Sequence, residues 1–208
     1  MQTASNVVTQ PMKLTPEMYL AIERSREFKS EFANGAMFAM AGASEAHNLI
    51  VAHIVRDLGV QLKGRPCRVY PSDMRVRIPQ KKRYVYPDAI VVCGEPRFED
   101  DHRDTLLNPT VIVEVLSPST ETYDRVAKFA AYRTIASLQA YLLISQDKPL
   151  LECYARQEGT RFWLFSDAAG REAAMELSAI AVRLALADVY EHIEFNPTLS
   201  DTFDVSDS

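Results

Sequence analysis

An apolar run at residues 110–117, TVIVEVLS, holds one carboxylate, Glu114, at its centre. Side chains of a strand alternate between its two faces, so Glu114 shares a face with Ile112 and Leu116, while Val111, Val113 and Val115 point the other way. An ionised carboxylate in such surroundings is costly unless compensated, so the fold must bring it a cation or a proton. A second acid, Asp88, heads the apolar run AIVVC and can converge on the same cation if the two strands lie side by side. Ser117-Pro118 ends the strand. A helix is expected over ETYDRVAKFAAYRTIA, with Ser119 or Thr120 as cap and with Asp124 and Lys128 four residues apart.

Other elements can be placed around this segment. Thr15-Pro16-Glu17 opens a helix reaching to near Arg26, and Asn34-Gly35 between two short runs predicts a hairpin with Glu31 just ahead of the turn. Ser44 caps a second helix, with Val51, Ile54 or Val55, Leu58 and Leu62 on one stripe, ending near Gly64. Strand periodicity follows in CRVYPSDMRVRI, YVYPDAIVVC and AYLLIS, and LECYAR with RFWLFS reads as a hairpin around Glu158-Gly159. In MRVRI, Arg75 and Arg77 alternate with Val76 and Ile78, which predicts one basic and one apolar face, and residues 95–104 read as an exposed charged loop. A last helix is expected over ALADVYEHI. This order suits an α/β chain of the layered α+β kind, a mixed sheet flanked by helices.

The segments LTPEMYLAIE, EFANGAMFAMAG, SEAHNLIVA, YPDAIVV and VEVLSPSTETYDRVAKFAAYR together resemble the Uma-type restriction endonucleases of the PD-(D/E)XK nuclease superfamily, over residues 14–195. The EVLSPS segment followed by a D-x-x-x-K helix is the specific part, since a bare PD dipeptide carries little. The resemblance implies a restriction-endonuclease-like fold, phosphodiester hydrolysis in DNA using Mg²⁺ or Mn²⁺, and a homodimer. It makes Asp88, Glu114 and Lys128 the catalytic set, with the ion held by Asp88, Glu114 and the carbonyl of Val115, and with Glu31, His47 and Asp124 in support, while Asp73 in PSDMRV can support the same site. Hard oxygen ligands suit such an ion. Two positions depart from the pattern. Leu116 stands where the superfamily places its lysine, so that the amine comes from Lys128, and Ala36 follows the turn where the family usually has an acid.

Each of these residues also has a plainer reading. Asp124 and Lys128 can form a surface pair of ~0.3 kcal/mol. Glu114 can be a buried carboxylate satisfied by protein groups alone. Asp88 can be a strand-entry residue, Glu31 a solvated hairpin residue, His47 a half-buried residue at a helix start, and Asp73 an Asx turn. Arg75, Arg77, Lys81, Lys82 and Arg83 form the basic cluster of the sequence. Arg75, Arg77 and Lys82 are the expected nucleic-acid contacts, against the alternative of a solvated strand and loop.

At 208 residues the chain suits one domain at 14–195, with a flexible N-terminus at 1–13 and an acidic flexible tail at 196–208. A net charge of −5 gives no global attraction to phosphates, so any nucleic-acid site must be local. With Ala36 and Leu116, it favours the alternative of a catalytically impaired nuclease fold that binds nucleic acid or protein. No window approaches the ~20 apolar residues of a membrane helix, and the first residues lack a secretory core, so a cytoplasmic protein without membrane contact is expected. Cys67, Cys93 and Cys153, odd in number and far apart, read as reduced apolar fillers.

Overall fold

The computed structural model describes residues 13–118 and 120–195. Apart from Lys13, the two expected tails lie outside the described residues, as does the candidate cap Ser119. Strands β1 (Ser30–Ala33), β2 (Ala36–Ala39), β4 (Arg75–Ile78), β5 (Arg83–Val85) and β7 (Thr105–Leu106) form one sheet, ordered β2-β1-β5-β4-β7. Strands β3 (Cys67–Pro71), β6 (Ala89–Cys93), β8 (Val111–Leu116), β9 (Ala140–Ser145), β10 (Leu150–Arg156) and β11 (Trp163–Ala169) form the larger sheet, ordered β11-β10-β9-β8-β6-β3. Its centre is the parallel pair β8–β9, flanked by antiparallel neighbours, and every residue of those two strands is buried. Strands covered on both faces tolerate near-continuous apolar runs, which is how VIVEVL and AYLLIS read in the sequence.

Parity sorts this sheet onto two cores. Val111, Val113, Val115, Leu142 and Ile144 face helix α2 (Glu45–Gln61), through Ile50, Ile54, Leu58 and Leu62. Ile90, Ile112, Leu116, Tyr141 and Leu143 face the other way, onto Val76, Ile78 and Val85 of the smaller sheet and onto Tyr132. Tyr132 ends the short helix α3 (Phe129–Tyr132). The strands β12 (Ala174–Leu177) and β13 (Val182–Ala185), a hairpin the sequence reading lacked, close the α2 side together with α4 (Leu186–Val189). That last helix is a single turn of the longer one expected.

Local chemistry fixes the element starts. Thr15 Oγ1 accepts from Met18 N (3.2 Å) at the head of α1 (Pro16–Arg24), and Ser44 Oγ accepts from His47 N (3.1 Å) at the head of α2. Asn34 and Gly35 both take positive φ, 53° and 92°, the pair of left-handed residues that a tight β1–β2 turn requires. A Cβ at position 35 would stand 2.8 Å from Lys13 Cβ, so glycine is needed there twice over.

Cysteine chemistry differs from the sequence reading. Cys67 and Cys93 face each other across β3 and β6, Cα atoms 4.0 Å apart, and are joined as a disulfide. Sequence spacing carried no trace of this, because the bond follows from strand register. Cys153 remains a buried thiol whose pKa burial pushes up to about 11. Its thiolate is therefore scarce at neutral pH and the native thiol is expected to resist alkylation. Mass spectrometry after iodoacetamide treatment should show no label on the native chain, one after unfolding and three after unfolding with reductant.

The charged residues 99–104 are not merely solvated. Arg24 donates to Asp104 (2.8 and 2.9 Å) and Asp100 (2.8 Å), Arg75 pairs with Asp104 at 2.5 Å, and Arg77 pairs with Glu99 at 2.6 Å. The Arg24 hydrogen bonds, with Arg75 beside them, hold the Asp104 carboxyl below its ordinary 3.8. A depressed native pKa contributes stability that is present above the unfolded value and lost as pH falls through the native one. Urea midpoints should therefore fall below about pH 4, less steeply in Asp104→Asn. Among the described residues no helix is long and apolar enough to cross a membrane.

Candidate active site

The buried carboxylate of β8 meets the cation that its burial demands. Lys128 Nζ lies 3.0 Å from Glu114 Oε1, 3.1 Å from Asp124 Oδ1 and 3.4 Å from Glu31 Oε1. Lys128 and Glu114 are 7 % and 4 % exposed. Their pairing is therefore internal, and the surface-pair reading of Asp124 and Lys128 does not apply. Tyr132 adds a second donor, its hydroxyl 2.7 Å from the same Oε1.

The backbone explains this convergence. Residues 123–128 form a π-helical turn, in which Phe129 N–H reaches back to the Asp124 carbonyl. Such turns recur at functional sites because they re-aim side chains. Here Asp124 and Lys128 both point at the sheet, and the Asp124 carbonyl also accepts from Tyr141 Oη (3.1 Å). Tyr132, four residues after Lys128, continues the same helix face. That 124–128–132 spacing is the sequence signal for Tyr132 at the site.

Asp88 enters from the adjacent strand. The β6–β8 register pairs Ile90 with Ile112 and Ala89 with Val113, so continuing it by one residue sets Asp88 against Glu114 on one face. The Val115 N–H donates to Asp88 Oδ2 (2.7 Å), and His47 Nε2 lies 3.4 Å from Asp88 Oδ1. Glu31 comes from β1 of the smaller sheet, so the site bridges both sheets. Asp73 takes no part in this cluster: it is exposed and pairs with Lys29 at 2.9 Å. Arg75 is buried against Asp104, Thr105 and Tyr86, and Arg77 is held by Glu99, so neither presents an unpaired guanidinium for phosphate. Lys82 is exposed, and Arg83 donates to Tyr123 Oη (3.1 Å), whose ring lies 5.8 Å from Lys128 Nζ.

Glu31, Glu114 and Asp124 set three carboxylates against one ammonium, and Asp88 adds a fourth acid beside Glu114. Burial, then the neighbouring acids, raise the Glu114 carboxyl well above its ordinary 4.5 even though Lys128 opposes the shift. Burial pulls Lys128 down, yet Glu114, Glu31 and Asp124 together hold it well above its ordinary 10.5. The two shifts agree physically: the acids hold the amine in its charged form, and their crowding makes Glu114 bind a proton more tightly than a free carboxyl would. Burial and the Glu114 charge likewise raise Tyr132, which keeps its hydroxyl a donor.

The donor set fits a hard divalent cation. It carries surplus negative charge, and among the described residues no hydrogen bond falls on Glu114 Oε2. Among the described residues no three His, Cys, Asp or Glu side chains lie close enough to hold an ion by themselves. A magnesium-type site needs no such cage, since one or two carboxylates with water and substrate oxygens commonly suffice.

Residues 16–187 match the model of the Uma2 family, described as "Putative restriction endonuclease". The chain belongs to the Uma2 family. An uncharacterized protein of Synechocystis sp., sll1609, is 38% identical to this Uma2 chain over 176 residues, covering 85% of the chain and 99% of the relative. A second from that organism, slr1290, is 34% identical over 185 residues, covering 88% and 94%. In fold, the Uma2 chain is similar to a crystal structure from Anabaena variabilis described as "a putative nuclease belonging to DUF820", with TM-score 0.68 and 18% identity over 86% of this chain and 98% of that one. Family and fold bear out the resemblance read from the sequence, and the family supports a nuclease.

Proposed function

We propose that this Uma2 protein is a metal-dependent endonuclease that hydrolyses phosphodiester bonds in DNA. The observation that carries the reading is the buried Lys128 ammonium set among Glu114, Asp124 and Glu31, with Asp88 on the neighbouring strand beside Glu114. Asp88, Glu114 and the Val115 carbonyl are the groups that would hold Mg²⁺ or Mn²⁺. Such an ion, when bound, neutralises charge on the scissile phosphate and acidifies a water.

The other roles belong to this chain's residues. Val115 N–H fixes one oxygen of Asp88 and leaves Oδ1 facing His47. Lys128 and Tyr132 anchor Glu114 through Oε1, so its orientation does not depend on substrate. Asp124 and Glu31 keep Lys128 charged and aimed at that carboxylate, where its field also favours an approaching phosphate. Arg83, which is bonded to Tyr123, and the exposed Lys82 next to it in sequence are the cations assigned to the DNA backbone.

Supercoiled plasmid incubated with the pure protein and Mg²⁺ or Mn²⁺ should be nicked or linearised, with no conversion in EDTA or with Glu114→Ala. Cutting that persists in the alanine variant would remove the assignment. Retention of DNA without cleavage at any metal concentration would favour an impaired nuclease fold acting as a binding module, the reading to which Ala36, Leu116 and the net charge of −5 lend support.

A further inference from the structure

Among the described residues the strand β11 is an outer edge of the larger sheet, hydrogen-bonded to β10 on one side only. Natural edges are usually shielded by charge, proline, bulges or a covering element. Here Leu164, Phe165, Ser166 and Asp167 are all exposed although they point alternately to both faces, and Phe162, just before the strand, is 71 % exposed. Apolar surface is thus gathered along a line of backbone groups that have no sheet neighbour among the described residues.

The hydrogen-bond phase of this edge is readable. Gln157 N–H donates to the Phe162 carbonyl (3.0 Å), and Gly170 N–H donates to the Pro149 carbonyl (2.9 Å). Residues alternate in the direction of their backbone groups. The even-numbered residues 162 to 170 therefore face β10, while Trp163, Phe165 and Asp167 direct theirs outward. An antiparallel copy can pair only where odd residues oppose odd residues.

We infer that a second copy of this chain docks here, β11 against β11, about a two-fold axis at Leu164. In that register Leu164 meets its own symmetry mate, Trp163 opposes Phe165 of the other copy, and Arg161, in the bend two residues before the strand, comes level with Asp167 at both ends. A shift by one residue along the partner puts odd residues against even ones and loses the hydrogen bonds. Centring on Phe165 keeps them but sets Trp163 against Asp167 and leaves Arg161 facing Ala169. The Leu164 register alone among these three joins the backbone phase, the apolar residues and the opposite charges.

Sedimentation equilibrium of the full chain tests this. Wild type should show a concentration-dependent dimer, and Leu164→Arg should be monomeric over the same range with an unchanged circular dichroism spectrum. Arg161→Asp and Asp167→Arg should each weaken association by roughly tenfold, since each places like charges opposite at both ends of the two-fold pair. The double exchange should restore wild-type affinity to within about threefold. A wild type that stays monomeric at all concentrations, a dimer indifferent to Leu164→Arg, or a double exchange no better than the singles would each overturn the proposal.

Discussion

Lys128→Met is expected to lower the stability of this protein by about 3–5 kcal/mol and to abolish cleavage. The size follows from what the substitution leaves behind. Glu114, Asp124 and Glu31 lie 3.0–3.4 Å from the ammonium, and Glu114 and Asp124 are buried, so removing the cation strands acids that water cannot reach. Breaking one side of a buried pair costs far more than the pair itself contributes, so the double variant Glu114→Gln/Lys128→Met should recover a large part of the loss. Urea unfolding gives both numbers. Metal affinity should move the other way from stability: without a competing ammonium the acid cluster should bind Mn²⁺ more tightly where the variant remains folded. A surface location for Lys128 would predict a change within about 0.5 kcal/mol and no such inversion.

Glu114→Gln separates chemistry from folding. The amide oxygen can still accept from Lys128 and Tyr132, so stability should stay within about 1 kcal/mol of wild type, whereas cleavage should fall at least a hundredfold, because a neutral amide is a poor ligand for a hard cation. The pH dependence has a definite sign. Burial and the neighbouring acids make Glu114 hold its proton more firmly in the folded chain than in the unfolded one. Such a group contributes stability below its unfolded pKa, and that contribution is lost as pH rises through the folded one. In EDTA, Glu114→Gln should therefore gain on wild type as pH rises above about 4.5, and parallel pH series of urea midpoints would show this. Stability curves that run parallel would mean that Glu114 is ionised and fully compensated in the metal-free fold.

Much of the fold could be read from the chain because its strongest signals are local. The Asn34-Gly35 turn, the Thr15 and Ser44 caps and the twin buried strands β8 and β9 all follow from side-chain chemistry within a few residues. The acid in an apolar strand was legible for the same reason: its burial demanded a cation, and the resemblance of EVLSPS and its D-x-x-x-K helix to the family pattern pointed to Lys128. Features set by register or by tertiary contact were not legible. The Cys67–Cys93 bond exists because β3 and β6 align those two residues, and no spacing in sequence encodes that alignment. Arg75 and Arg77 looked like a basic face until the charged segment at 99–104 folded back on them, which turned expected phosphate contacts into internal ties. Tyr132 went unnoticed because a helix tyrosine is ordinarily core, and only the distance to Glu114 gives it a role at the site.

The most direct measurement of the central claim is a Mn²⁺ titration of the metal-free protein, read by electron paramagnetic resonance or calorimetry, beside Asp88→Asn and Glu114→Gln. The account predicts one ion per chain in the wild type and an affinity at least about tenfold weaker in each variant, because both acids hold the same ion. Binding that is equally tight in Asp88→Asn, or no binding to the wild type, would contradict it.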